Sequence, residues 1–263
     1  MPKKAGLDLR ETQEQFGRQA RRYAESLLHR RGQTLDIVVR LAAVQPHERA
    51  LDVGTGAGFT AFALAPAAGL VIAADPTAEM LAEARRLAQE MGHAEQIQWA
   101  QATAEALPLA GGSVDVITCR FASHHFQDLP LALSEFARVL RPDGRAVICD
   151  VVAPESEAMV RLMNRLEQLR DPTHVWNYTL TQWRQELLPQ AGLRSLEVVQ
   201  GKNPQLFSEW VHRAGTPAAA VHELIQMFSG AGVEARAAFD IRWDGAEMYF
   251  SWDNAVILAL RRE

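Results

Sequence analysis

An apolar run, Ala50-Leu51-Asp52-Val53, breaks into a loop with glycine at every second position, Gly54, Gly56 and Gly58, and helical patterning begins directly after it. This junction restricts the fold more than any other stretch. A strand must stop, the chain must turn where side chains would obstruct it, and a helix must start with its free N–H groups close to whatever occupies the turn. Nineteen residues beyond Gly56 a second run, Leu70-Val71-Ile72-Ala73-Ala74, ends in Asp75. Doubly wound α/β sheets place an acid there to accept hydrogen bonds from ribose hydroxyls. Loop and acid together predict a nucleoside site. A dinucleotide fingerprint would need glycine at Phe59, and no Gly-Lys-Ser/Thr follows the loop, so NAD, flavin and P-loop chemistries are set aside.

The pattern continues as short β-rich runs alternating with helical stretches, which is how βαβ units wind a parallel sheet. Strands are expected at 49–53, 70–74, 96–101, 114–119 and 144–151, with helices at 58–67, 77–91 and 129–141. The last helix runs into Arg141-Pro142-Asp143-Gly144, which cannot continue it. Helices over 155–170 and 180–190 follow, the second opened by a Thr179/Gln182 capping-box pattern. A strand near 193–200, helices within 205–242 and a final strand near 254–261 complete an α/β fold with a seven-stranded, doubly wound, Rossmann-like sheet. Residues 1–45 read as an N-terminal helical cap and 46–263 as one domain with helical inserts at about 155–190 and 203–242.

Hydrophobic residues make up 48% of the 263 and charged ones 22%, so the chain can bury a sizeable core and is not of a disordered class. Lys plus Arg is 27 against 32 for Asp plus Glu, a formal charge of −5 that disfavours nucleic acid or an anionic membrane as a partner. Cys119 and Cys149 both fall in strand-like runs, too few for a disulfide framework or a Cys-based zinc site, which makes a reducing cytoplasm the expected location. Residues 1–11 turn acidic after two lysines and do not read as a secretory leader. The low-charge run 59–74 holds Pro66 and Gly69 and is too short to span a bilayer. Arg18, Arg21, Arg22, Arg30 and Arg31 are expected on a solvated helix face. Five of the six tryptophans, Trp176, Trp183, Trp210, Trp243 and Trp252, lie in the last third, where they pack inserted helices or line a pocket. His174 to Tyr178, following Asp171-Pro172, reads as a substrate lid or as a connector.

Four segments, LDVGTGAG (51–58), AADPTAEML (73–81), ATAEALPLAGGSVDVITCRFASHHF (102–126) and EFARVLRPDGRAVICD (135–150), resemble class I S-adenosylmethionine-dependent methyltransferases in order and spacing. The resemblance covers about 49–152 and is to the small-molecule branch that includes the ubiquinone/menaquinone C-methyltransferases. It implies that the loop from Asp52 through Gly54, Thr55 and Gly56 to Gly58 lies under the methionine part of S-adenosylmethionine. It implies also that Asp75, followed by Pro76, holds the ribose, and that Met80 and the Ala104-Glu105 turn flank the adenine. Thr103 stands where family members often carry Asp, leaving its hydroxyl and the Ala104 N–H for the adenine contact. Arg120 and Phe121 are implied near the cofactor, and Phe16 and Tyr23 are placed to close over it or to pack in the core.

Ligands of open α/β sheets bind beyond the carboxyl ends of the strands, so Cys119-Arg120-Phe121-Ala122-Ser123-His124-His125-Phe126 is expected to face the reacting methyl group. The Asn/Asp-Pro-Pro-aromatic segment of nucleic-acid base and protein-glutamine N-methyltransferases is not there. Methyl transfer from a sulfonium already has an excellent leaving group, so alignment dominates and a base is needed only if the acceptor must lose a proton. With an ordinary pKa near 6.5, His124 or His125 is the candidate for that base. No metal site is expected, because no further ligand stands at recognisable spacing. The expected reaction is transfer of a methyl group to a small organic acceptor. Two alternatives are a non-transfer reaction on the same cofactor and a non-catalytic nucleoside-binding regulatory module. The acceptor, the methylated atom and the oligomeric state stay open at this level.

Overall fold

A computed structural model describes residues 9–25 and 32–262, with the side chains of 20–25 outside the description. Two helices come first, α1 (Leu9–Glu25) and α2 (Gln33–Ala42). The alternating section follows as β1 (Arg49–Val53), α3 (Phe59–Leu64), β2 (Leu70–Asp75), α4 (Ala78–Met91), β3 (Ile97–Gln101), β4 (Val114–Arg120), α5 (Leu129–Val139) and β5 (Leu140–Val152). Beyond it lie α6 (Glu157–Arg170), α7 (180–190), β6 (Leu193–Leu206), α8 (Phe207–Ala214), α9 (Ala218–Ser229), α10 (Val233–Ala238), β7 (Arg242–Asp244) and β8 (Glu247–Arg261). Among the described residues no helix is long and apolar enough to cross a membrane.

The strands form one sheet in the order β3-β2-β1-β4-β5-β8-β6, with β7 paired to β8. The first five run parallel, and β8 lies antiparallel between β5 and β6. Helices cover both faces of the parallel part, so β1, β2 and β4 are buried almost throughout, which accounts for their unbroken apolar sequences. The chain crosses in opposite directions from β1 to β2 and from β3 to β4, leaving a crevice beyond the carboxyl ends of β1 and β4.

Local chemistry sets the boundaries. Asp128 caps α5 by accepting from the N–H of Leu131 at 3.1 Å. The helix stops at Val139, and the Arg141–Gly144 turn survives as a bulge at the start of β5, with Asp143 in the left-handed region (φ 64°) and the register slipping between Val114 and Val116. Thr179 and Gln182 form the reciprocal capping box, at 3.0 and 3.1 Å. The middle turn of α7 widens to π geometry over Trp183–Leu187, upstream of Pro189, which has no N–H to give.

Three departures from the sequence expectation bear on the site. The sheet has eight strands, because Arg242–Asp244 folds back on β8 as an exposed hairpin too short to leave a pattern. β6 extends to Leu206, and β8 begins at Glu247. Because β5 pairs with β8 only from Asp253 onward, the stretch pairing 203–206 with 249–252 overhangs the end of the parallel sheet. Under that overhang α6, α8, α9 and α10 enclose an aromatic core of Phe207, Trp210, Phe228, Phe239, Phe250 and Trp252. Most tryptophans therefore pack inserted structure, while Trp243 is exposed.

Helix α1 lies across the carboxyl edge of the sheet. Gln13 donates to the carbonyl of Pro76 (2.8 Å), and Gln15 and Gln19 both donate to that of Ala214 (2.9 and 2.6 Å). Leu9, Thr12 and Phe16, spaced to share one helix face, point into the crevice. Arg18 on another face is exposed, whereas the side chains of Arg21, Arg22 and Tyr23, and all of Arg30 and Arg31, lie outside the described residues.

Candidate active site

Two adjoining cavities open at the carboxyl ends of the strands. The first encloses about 1020 Å³, part of it open to solvent, between the glycine loop, the end of β2, the 102–105 segment and the residues after β4. The second, of about 570 Å³, lies under the overhang of β6 and β8. Phe16, Phe121 and His125 line both and form the wall between them.

The glycine loop is fastened from behind. Asp52 is buried, and its two oxygens accept from the hydroxyls of Thr55 (2.6 Å) and Thr118 (2.7 Å). Burial pushes its pKa up to about 6 against those bonds. Gly54 sits at φ 66°, and a Cβ there would come within 2.4 Å of that of Ala122, so only glycine lets the ends of β1 and β4 meet. Gly54→Ala is therefore expected to lose about 1–3 kcal/mol of stability, measured as a lower urea midpoint at unchanged slope. A Cβ on Gly56 would meet nothing within 4 Å, since that stretch of backbone faces the open cleft. The Asp75 carboxylate closes the loop from the next strand, accepting from the N–H groups of Gly56 (2.9 Å) and Thr77 (2.9 Å). Burial raises its pKa.

Past β4 the backbone is bent out of its common range. Phe121 has φ 53°, an uncommon conformation for a side chain of this size and one that costs free energy. The bend is held by its own N–H on the carbonyl of Cys149 (2.8 Å). Arg120, buried beside it, donates to the Thr60 hydroxyl (3.2 Å) and lies 5.6 Å from the Phe121 ring. The turn Ser123–His125 is organised by Asp150 at the end of β5. Asp150 accepts from the Ser123 hydroxyl, from the His124 N–H (3.1 Å) and from His124 Nδ1 (2.7 Å). Burial opposes charge on His124, and the Asp150 carboxylate outweighs it, leaving the histidine pKa above its ordinary value. With Nδ1–H committed to Asp150, Nε2 carries the lone pair of the neutral ring. His124 lines the second cavity only. His125 differs: its Nδ1 lies 3.2 Å from the carbonyl of Thr173, its ring meets Phe16 edge-on at 4.9 Å, and burial, helped by the charge on His124, lowers its pKa to about 4. It is a neutral wall.

The methyltransferase-domain family matches residues 51–148. The YcgJ protein of Bacillus subtilis, described as an uncharacterized methyltransferase, is 37% identical over 226 residues, or 86% of this chain and 88% of that one. The chain belongs to the methyltransferase family. The solved structure of that Bacillus protein has the same fold, with a TM-score of 0.84 over 88% of this chain and 98% of its own. The ubiquinone/menaquinone biosynthesis C-methyltransferase UbiE of Rubrivivax gelatinosus is 38% identical over 116 residues, 44% of either chain. The geranyl diphosphate C-methyltransferase of Streptomyces coelicolor, solved with S-adenosyl-L-homocysteine, shares the fold alone, with 15% identity and a TM-score of 0.57 over 87% of this chain and 76% of its own.

The cofactor of this methyltransferase is S-adenosylmethionine, and the first cavity has the donor set for it. Asp75 accepts from the N–H groups of Gly56 and Thr77 and from the Thr77 side chain, and its carboxylate lines the cavity where a ribose diol could donate to it. Gly54, Thr55, Gly56, Asp75, Pro76, Met80, Thr103, Ala104, Glu105, Arg120 and Phe121 all line this cavity. Asp52 and Gly58 lie behind its wall, Asp52 because both oxygens serve the two threonines and Gly58 because it packs on Phe62 and Ala84. The Glu105 carboxylate accepts from the N–H groups of Gln127 (2.8 Å) and Asp128 (3.2 Å), tying the 102–105 segment to the residues after β4. The segment from His174 to Tyr178 is a connector, since His174, Val175, Asn177 and Tyr178 are buried and the N–H of Val175 bonds the His124 carbonyl (2.9 Å). Sequence reasoning missed Asp150, Asn203 and Gln205, and reached Asn177 only as part of a lid or connector. Asp150 alone left a signal, an acid ending the strand beside the His-His turn.

Proposed function

We propose that the methyltransferase moves the methyl group of S-adenosylmethionine to a small organic acceptor held in the second cavity. The observation that carries this reading is the shared wall of Phe16, Phe121 and His125 between two cavities, one with a ribose-binding carboxylate and the other with a histidine whose Nε2 is available. When bound, the cofactor supplies an electrophilic methyl on a sulfonium. The chain's residues hold and align. Asp75 anchors the ribose, and the backbone of Gly54 to Gly56 lies along the methionine portion. Met80, Thr103 and Ala104 border the adenine. Arg120 and Phe121 fix the floor at the junction, and α1 with Phe16 covers it as a cap contributed by residues 1–45. His124 Nε2 takes the acceptor's proton where one must leave, and Asp150 keeps the ring in the right tautomer. Neither nucleic acid nor a membrane surface is the partner in this reading, given the charge of −5.

The test is to incubate the protein with S-adenosylmethionine and fractionated metabolite extract. S-adenosylhomocysteine should form in step with a product heavier by one methyl group. Cofactor that stays bound and intact in every fraction would overturn the reading in favour of a binding module or a non-transfer enzyme.

A further inference from the structure

Two groups in the lining of the second cavity are buried and unbonded. Asn177 is 3% exposed and Trp252 2%, and both residues line the chamber. Asn177 Oδ1 and the Trp252 indole N–H have no hydrogen-bond partner in the protein. A buried donor or acceptor left without a partner costs stability, so nearly all such groups in folded proteins are satisfied by something. Here one group accepts and the other donates. An occupant able to do both in return satisfies them.

Both groups are held in place. The backbone of Asn177 is clamped by the buried Asn164 amide, which accepts from its N–H (2.6 Å) and donates to its carbonyl (3.1 Å). The Trp252 ring is fixed by edge-on contacts with Phe239 and Phe250, at 4.9 and 4.8 Å between centroids, and its backbone pairs with Asn203 in the overhang. Groups held this firmly lose little freedom when a ligand arrives. The chamber, at about 570 Å³ with part of it open to solvent, is far larger than a bridging water needs. We infer that Asn177 and Trp252 are the recognition pair of this chamber and that its occupant is a compact hydroxylated molecule, donating an O–H to Asn177 Oδ1 and accepting from the Trp252 N–H on a hydroxyl oxygen. A hydroxyl both donates and accepts, and it is also a group whose proton a base can remove, with His124 lining the same chamber. The choice of a hydroxyl over another neutral donor–acceptor group rests on the methyl-transfer reading; the need for a donor and an acceptor does not.

Its test needs no turnover. The full-length protein, saturated with S-adenosylhomocysteine, is titrated by calorimetry with two graded series: catechol, phenol and fluorobenzene, and cyclohexane-1,2-diol, cyclohexanol and fluorocyclohexane. In at least one series affinity is expected to fall about tenfold for each hydroxyl removed, although each removal makes the probe more apolar. Asn177→Leu and Trp252→Phe should each take away about one such step, with S-adenosylhomocysteine affinity unchanged because neither residue lines the first cavity. Asn177→Leu also gives a reading without any ligand. Deleting a buried group that has no partner should raise the melting temperature by about 2 °C or more, which keeps the test decisive if Trp252→Phe folds poorly. A lower melting temperature would show that the Asn177 amide is already satisfied, by a trapped water for example, and overturns the inference. So does a hydroxyl preference that is missing from both series or survives both substitutions, and so does benzamide binding more tightly than phenol and catechol. Failure of the methyl-transfer reading looks different: the hydroxyl preference stands, and S-adenosylmethionine is never consumed.

Discussion

Alanine at position 75 should weaken S-adenosylmethionine binding by about a hundredfold or more. The Asp75 carboxylate accepts from the N–H groups of Gly56 and Thr77 and from the Thr77 side chain, and it lines the first cavity, where the two ribose hydroxyls are expected to donate to it. Two charge-assisted hydrogen bonds at about 1.5–3 kcal/mol each sum to at least about 3 kcal/mol, and each 1.4 kcal/mol is tenfold in affinity. The loss has a second source, because the Gly56 N–H that shapes the loop also loses its acceptor. Asp75→Asn separates the two: it keeps an acceptor for one N–H but carries no charge, so its loss should fall between wild type and alanine. Calorimetry with circular dichroism alongside decides the matter. Wild-type affinity in a folded Asp75→Ala protein would mean that the ribose is held elsewhere.

What the sequence disclosed and what it hid divide along a physical line. The parallel half was legible because buried strands must be apolar along their whole length, and because a glycine loop and a strand-ending acid keep a fixed spacing whatever the rest of the chain does. Asp75, Gly56 and Ala104 meet in one cavity accordingly. The second cavity left almost no pattern. Gly201-Lys202-Asn203-Pro204-Gln205 looks like a turn, with glycine, proline and no apolar alternation, yet it continues β6 because β8 pairs with it through Leu206. Residues that face a polar cavity lose the alternation by which half-buried strands are found. The role of Asn177 was hidden for a related reason, since the residue stands in an irregular connector fixed by contacts distant in sequence, including the Asn164 side chain, which accepts from its N–H at 2.6 Å. Adjacent histidines gave no indication of their different roles. Asp150, 26 residues beyond His124, separates them by bonding one and not the other.

That separation carries the other large effect. His124→Gln should lower turnover by about a hundredfold or more with cofactor affinity nearly unchanged, because general-base help is realised in the transition state and His124 does not line the cofactor cavity. His125→Gln should act mainly through packing against Phe16, with a smaller loss in rate and a lower melting temperature. The pH profile gives the signature that a structural histidine lacks. The Asp150 carboxylate, prevailing over burial, holds the His124 pKa above the ordinary 6.5, so the basic form is populated only above that value and the rate should rise as pH climbs through it. Asp150→Asn removes the anion and leaves the burial, which moves the inflection to lower pH and lowers the plateau, since the Nδ1–H orientation weakens. Stability follows the opposite course. The raised histidine contributes fully below pH 6.5 and loses its contribution as pH rises through its folded value, while Asp150, lowered in the fold, contributes above its ordinary 3.8 and loses that as pH falls. The pair therefore stabilises most between those two limits, where His124 is protonated and unable to accept a proton, and denaturant midpoints across pH should peak below the range where turnover does if His124 serves as base. A flat pH–rate profile together with an active His124→Gln protein would show that the acceptor needs no base and that alignment alone carries the transfer.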